Sequence, residues 1–149
     1  MLSQKARYAL RALVELARAG EGAQLTAGEM ASRADAPRKF LEAILLELSR
    51  RRIVISRRGK FGGYSLAMPA QSISFAEVIR SIDGPLALAP CASVTAFRKC
   101  EDCEDLETCV LRPALIKARD ATAAVLEAYT LAVAVKTPAR ALADPQAEI

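Results

Sequence analysis

The 149-residue chain contains no histidine and no tryptophan, and aromatic residues make up only 5% of it. Without imidazole, Ser/His and Cys/His catalysis, histidine-ligated zinc and histidine pH switching are all excluded. So few aromatics leave no stacking platform of the kind that grips single-stranded nucleic acid. No run reaches the roughly 18 uncharged apolar residues of a membrane-spanning helix. The start, Met1-Leu2-Ser3-Gln4-Lys5, lacks the apolar core of a signal peptide. The expectation is a cytoplasmic protein with no membrane partner. What is present is ordinary for a globular domain, with 52% hydrophobic and 26% charged residues.

The net charge of +4 is unevenly spread. Residues 1–60 carry 13 Lys/Arg against 6 Asp/Glu, whereas residues 61–149 carry 8 against 11. A basic front half suits an anionic partner, although a solvated basic face would look the same.

Ser3–Ala19 predicts a helix, with Ala6, Leu10, Leu13, Val14 and Ala17 on one stripe. Thr26-Ala27-Gly28-Glu29 has capping-box spacing and opens a short second helix to about Arg33. After a turn at Asp35-Ala36, Pro37 suits the first position of a third helix, which carries Phe40, Leu41, Ile44, Leu45 and Leu48 inward and runs to about Arg50. Ile53–Arg58 and Tyr64–Met68 then read as two strands joined by the glycine-rich turn Gly59-Lys60-Phe61-Gly62-Gly63. Ser74–Glu77 repeats the capping-box spacing ahead of a helix carrying Val78, Ile79 and Ile82, which Asp83-Gly84-Pro85 ends. Pro113 opens a long helix with Leu115, Ala118, Thr122, Val125, Leu126 and Tyr129 on one side, and from Lys136 the composition suggests a flexible tail.

Three short helices followed by a hairpin is the order of a winged helix-turn-helix. The expected fold is mainly α with a small β-hairpin wing. It divides into a DNA-binding domain (1–84), a cysteine-rich loop (85–112), a dimerisation helix (113–135) and a tail (136–149). The third helix would read duplex DNA with Arg38, Lys39 and Glu42, and the wing would lie along the backbone or minor groove with Arg57, Arg58 and Lys60, its tip brought close by Gly62 and Gly63. Arg50-Arg51-Arg52 is equally well explained as charge at a helix C-terminus.

Leu2–Ala9, Phe40-Leu41-Glu42, Arg58-Gly59-Lys60-Phe61-Gly62-Gly63-Tyr64-Ser65-Leu66 and Ile73–Ile79 with Asp83-Gly84-Pro85 together resemble the Rrf-two (Rrf2) family of bacterial regulators, the group of IscR, NsrR and CymR. The match spans about residues 1–134, and the wing motif is its most specific part. The resemblance implies a homodimeric winged-helix repressor, no enzymatic activity, long C-terminal helices that cross between subunits, Lys39 and Glu42 at the major groove, and Arg58 in the minor groove. A dimer implies a pseudo-palindromic operator with half-sites about one helical turn, or a multiple of it, apart. Ala43 departs from relatives that can carry a polar base-reading residue there, so the resemblance does not extend to the operator sequence.

All four cysteines lie within 19 residues, as Cys91-x8-Cys100-x2-Cys103-x5-Cys109. Clustered soft thiolates select zinc or an iron–sulfur cluster, but only Cys100/Cys103 is a tight pair of the zinc type. Metal-free thiol switching is the third possibility. Glu101, Asp102, Glu104, Asp105 and Glu107 surround Cys103. Their charge opposes thiolate formation and makes a Cys-x-x-Cys oxidoreductase the weakest reading. The family resemblance implies a 2Fe–2S or 4Fe–4S cluster, with Cys91, Cys103 and Cys109 matching three recurrent cysteines and Cys100 additional, although Cys100 and Cys103 exchange in an alternative alignment. Arg112 stands where IscR-like members place a histidine, a gap that a fourth cysteine would fill.

Overall fold

The computed structural model describes residues 1–137. Its elements are α1 (Gln4–Arg18), α2 (Ala27–Arg33), α3 (Arg38–Arg50), β1 (Val54–Arg57), β2 (Gly63–Leu66), α4 (Phe75–Ile82), α5 (Arg112–Ala128) and α6 (Leu131–Lys136), with 3₁₀ turns at Ala70–Ser72 and Pro90–Ala92. The tail expected over 136–149 begins too early, since Lys136 is the last residue of α6; residues 138–149 lie outside the described residues.

Local chemistry sets most boundaries. Ser3 Oγ accepts from the Ala6 amide at the start of α1. The Thr26–Glu29 capping box closes in both directions, so α2 begins where its orphan amides are satisfied. Ser74 makes the first half of the second box by accepting from the Glu77 amide. Pro37 precedes α3 as its cap residue rather than occupying its first turn. The first strand pair is antiparallel, with Val54 opposite Leu66 and Arg57 opposite Gly63.

α3 ends in a Schellman arrangement: the Ile53 amide donates to Leu48 O and the Arg52 amide to Ser49 O. That arrangement requires a left-handed residue, and Arg52 supplies it at φ 58° where glycine is usual. Asp35 does the same after α2, at φ 49°.

Leu13, Leu16, Met30, Leu41, Ile44, Leu45 and Leu48 are all at most 1% exposed and form the core of the first three helices, joined by Ile53, Ile73 and Val78. Phe40 departs from the sequence expectation. It is 40% exposed and packs edge-on against Tyr8 at the rim, with ring centroids 5.8 Å apart.

The helix expected over 113–135 is two helices. α5 stops at Ala128 because residues 129–131 run antiparallel beside 73–75: the Phe75 amide donates to Tyr129 O and the Leu131 amide to Ile73 O. Thr130 then caps α6 through its side chain, and Leu131 is fully buried in the front-half core. Phe75 and Tyr129 stack edge-to-face at 5.0 Å across the junction. By contrast, none of the 17 residues of α5 is buried.

Candidate nucleic-acid interface and cysteine loop

Residues 24–28 are the hub of the candidate interface. Leu25 exchanges both backbone hydrogen bonds with Tyr64 of β2, which fixes the base of the wing to the α1–α2 connection. Thr26 caps α2, and Gly28 lies beside the Arg38 guanidinium, where a Cβ would make ordinary contact at 3.8 Å. The start of α3 and the wing thus share one support. Glu29 is held below the ordinary carboxylate range, first by the Thr26 amide and then by the Thr26 hydroxyl, so this cap carries a fixed negative charge.

On α3, Arg38 and Lys39 are exposed and Glu42 is half-buried. Arg38 Nε donates to Glu42 Oε1 at 3.0 Å, so two of the three expected readers satisfy each other and Lys39 stands alone.

The wing cations Arg57, Arg58 and Lys60 are all exposed, and none forms an ion pair with another described residue. The turn between them is tight. A Cβ on Gly62 would lie 2.5 Å from Arg57 O, and Gly63 adopts φ 153° against the Leu25 carbonyl, where a Cβ would meet oxygen at 2.7 Å. Both positions therefore exclude any side chain. Phe61, which the sequence reading left unassigned, stands at the tip and is 86% exposed. Its carbonyl accepts from Gln24 Nε2 at 2.5 Å. The signal that points to it is an aromatic inside a glycine turn of a chain with few aromatics.

The cysteine loop begins after α4 and is gripped from α5. Arg119 Nη1 donates to Ala92 O at 2.5 Å and Arg112 Nε donates to Cys91 O at 3.3 Å, so two arginines seven residues apart hold the Pro90–Ala92 turn. Arg80 of α4 reaches Glu127 of α5 at 2.6 Å and completes the attachment. Cys91 is buried, and Cys100, Cys103 and Cys109 are partly exposed. Burial pushes the Cys91 thiol up, reinforced by a hydrogen bond with the Cys100 side chain and by the Cys100 and Cys109 thiols, while Arg112 works against it. Cys91 therefore has Cys100 and Cys109 as its thiol neighbours, whereas family resemblance singles out Cys103 in place of Cys100. Among the described residues, no three Cys, Asp or Glu groups converge closely enough to hold a metal ion.

The loop carboxylates have local work. Asp105 Oδ1 accepts from the Glu107 amide at 3.1 Å, and backbone bonds of this kind hold Asp105 below the usual carboxylate range. Lys99 Nζ donates to Glu104 O at 2.7 Å, and the Cys103 amide donates to Cys100 O at 3.2 Å. The acidic stretch is a turn that binds itself. No helix among the described residues is long and apolar enough to cross a membrane.

Comparison with known proteins gives a consistent result. A family model described as Rrf2, iron-dependent transcriptional regulator, matches residues 2–137. An rrf2-like HTH-type transcriptional regulator of Rhodobacter capsulatus is 45% identical over 115 residues, covering 75% of this chain and 77% of the relative. The HTH-type regulator Rv1287 of Mycobacterium tuberculosis is 48% identical over 86 residues, which span 58% of this chain and 53% of that protein. Among solved structures, CymR, the global cysteine regulator of B. subtilis, superposes with a TM-score of 0.73 at 27% identity, covering 91% of this chain and 95% of CymR. T. potens IscR shares the fold, with a TM-score of 0.70 at 24% identity over 91% of this chain and 86% of that one.

Proposed function

The chain belongs to the Rrf2 family of transcriptional regulators, and from that premise we propose that it works in the cytoplasm as a homodimer on a pseudo-palindromic duplex, as a repressor whose cysteine loop holds an iron–sulfur cluster. The observation that carries the DNA contact is the wing, where Arg57, Arg58 and Lys60 stand exposed around a backbone pinned by Gly62, Gly63 and Leu25. Three unpaired cations on a rigid hairpin suit phosphates, while Arg38, Lys39 and Glu42 on α3 address base edges.

Dimerisation through α5 is supported by what that helix leaves uncovered. It buries no residue, Val125 on it is 66% exposed, and Leu88, Val110 and Leu111 ahead of it are also exposed. An apolar hollow of about 400 Å³ between Ile79, Leu86, Leu88 and Leu126 continues the same face. A second copy of α5 would cover this surface, as C₂ pairing requires.

The donor set of the loop fits a soft metal centre: four thiols within 19 residues and no competing imidazole in the chain. Cys100 and Cys109 both act on the buried Cys91 thiol, and Cys103 lies on the self-bonded acidic turn three residues from Cys100. The four would hold a 2Fe–2S or 4Fe–4S centre, which supplies a redox- and nitric-oxide-responsive group at that point. Because the thiols do not already converge, ligation and loop rearrangement are one event in this reading. The strain of that rearrangement reaches α5 through Arg112 and Arg119. A metal-free thiol switch is the second reading, favoured by the influence of the Cys100 thiol on the buried Cys91.

Visible absorption with iron, sulfide and zinc analysis of anaerobically purified protein separates these readings. The cluster reading predicts a brown protein with matched iron and sulfide, lost in Cys91→Ala and Cys109→Ala. A colourless protein with one zinc per chain makes the loop a structural staple, and a metal-free one transfers the role to the thiols.

A further inference from the structure

We propose that Phe61 is a wedge that enters the minor groove and unstacks a flexible base step, making it a specificity-determining residue that reads DNA deformability. This deepens the DNA-binding reading and rests on it. Phe61 is 86% exposed, whereas the next most exposed aromatic among the described residues, Phe97, is 52% exposed. An aromatic ring of that size is normally among the most profitable groups to bury, yet this one is left largely uncovered by the described residues. Among the described residues its ring partner is the Lys60 ammonium, 5.8 Å from the centroid.

The ring is also held out, not merely left out. Gln24 Nε2 donates to the Phe61 carbonyl, the Gly62 amide donates to Gly59 O at 2.9 Å, and Gly59 takes the left-handed conformation at φ 105°. Gly63 is locked against Leu25 O. The backbone on both sides of Phe61 is therefore ordered before any partner arrives, so docking the ring immobilises little more than its own side chain. Its surroundings name the partner. Arg57, Arg58 and Lys60 are exposed cations within four residues of the ring, a combination suited to a polyanion with apolar base faces and unsuited to a purely apolar protein groove. Side chains of this kind enter the minor groove between base pairs and partly unstack them. Pyrimidine–purine steps yield most easily, so one such step is expected where each wing falls.

The test uses the full-length chain and a 30-base-pair duplex selected by that chain from a random-sequence pool, with 2-aminopurine placed at successive steps. Wild type should raise 2-aminopurine emission at a single step in each half-site. Phe61→Ala should abolish that rise and weaken binding about tenfold, while Phe61→Leu keeps most of both. Because the chain has no tryptophan, Phe61→Trp adds a sole reporter: its emission should be that of an exposed indole in free protein and become quenched and shielded from iodide on the duplex. Equal thermal stability of wild type and F61A is expected, since the ring supports no core contact. An F61A variant with unchanged affinity and unchanged 2-aminopurine signal overturns the wedge, as does a tryptophan already shielded in the DNA-free dimer, which would place the ring against a second copy. Failure of the wild type to retain any duplex overturns the DNA reading, and the wedge with it.

Discussion

The front half of the molecule and its cysteine-loop arm are stabilised in different ways. α1 through α4 converge on side chains that are almost wholly buried, such as Leu13, Leu41, Leu45 and Leu48. α5 has no fully buried residue; Leu126 packs against the core from its C-terminal end, and the rest of its attachment is polar: Arg80 to Glu127, Arg119 to Ala92 O and Arg112 to Cys91 O. A core of close-packed apolar groups has one arrangement, while a limb held by a few directional contacts has several of similar energy. The rigid half is suited to presenting a surface and the loosely held half to changing shape. The two are joined at both ends of α5, by the Cys91 turn and by the Tyr129–Leu131 return into the core.

The contrast breaks most visibly under truncation. Leu45→Ala should cost about 2–5 kcal/mol in urea denaturation, because it opens a cavity in the packed half. Val125→Asp should leave the subunit fold intact and shift sedimentation from dimer to monomer. If V125D unfolds the subunit instead, α5 is part of the core and the division fails. Arg119→Met removes a charged donor from Ala92 O and should cost about 1–2 kcal/mol. Hydrogen exchange should locate that loss to residues 89–99, leaving α1–α3 protected. The smallest effect sharpens the comparison from the rigid side. Arg52→Gly relieves a left-handed arginine and should stabilise the domain by about 0.5–1 kcal/mol. Unchanged DNA affinity in R52G would make Arg52 a cap alone, and a reduced salt slope of binding would show that the strained position is kept for a phosphate contact.

Those features of the fold that depend on neighbours in the chain were legible beforehand. Thr26 and Glu29, Ser74 and Glu77, and the glycines of the wing each act over three or four residues, so their sequence pattern is their mechanism. Features set by distant partners were not. The apolar period continues through Leu126, Tyr129 and Val133, and only the pairing of 129–131 with 73–75 reveals that the helix must break. Phe40 occupies an apolar position of α3 yet sits at the rim, because Tyr8 of α1 is its partner there. Arg52 carries no sequence mark of positive φ, since glycine is the residue that usually signals it. In the cysteine loop, spacing gave the donor set but not the neighbours. Cys91 is buried, Arg112 reaches its carbonyl, and the Cys100 and Cys109 thiols act on it, and an aperiodic segment offers no pattern from which to read that.

Duplex affinity of the anaerobic protein, measured before and after treatment that strips the proposed iron–sulfur cluster, tests the central claim most directly: that the cysteine loop governs what the rigid half does. Coupling of 1–3 kcal/mol between the loop and the DNA face predicts a change of about 5–150-fold, with Leu45 and its neighbours equally protected in both states. Equal affinity in the two states would contradict the account and reduce the loop to a staple beside an independent DNA-binding domain.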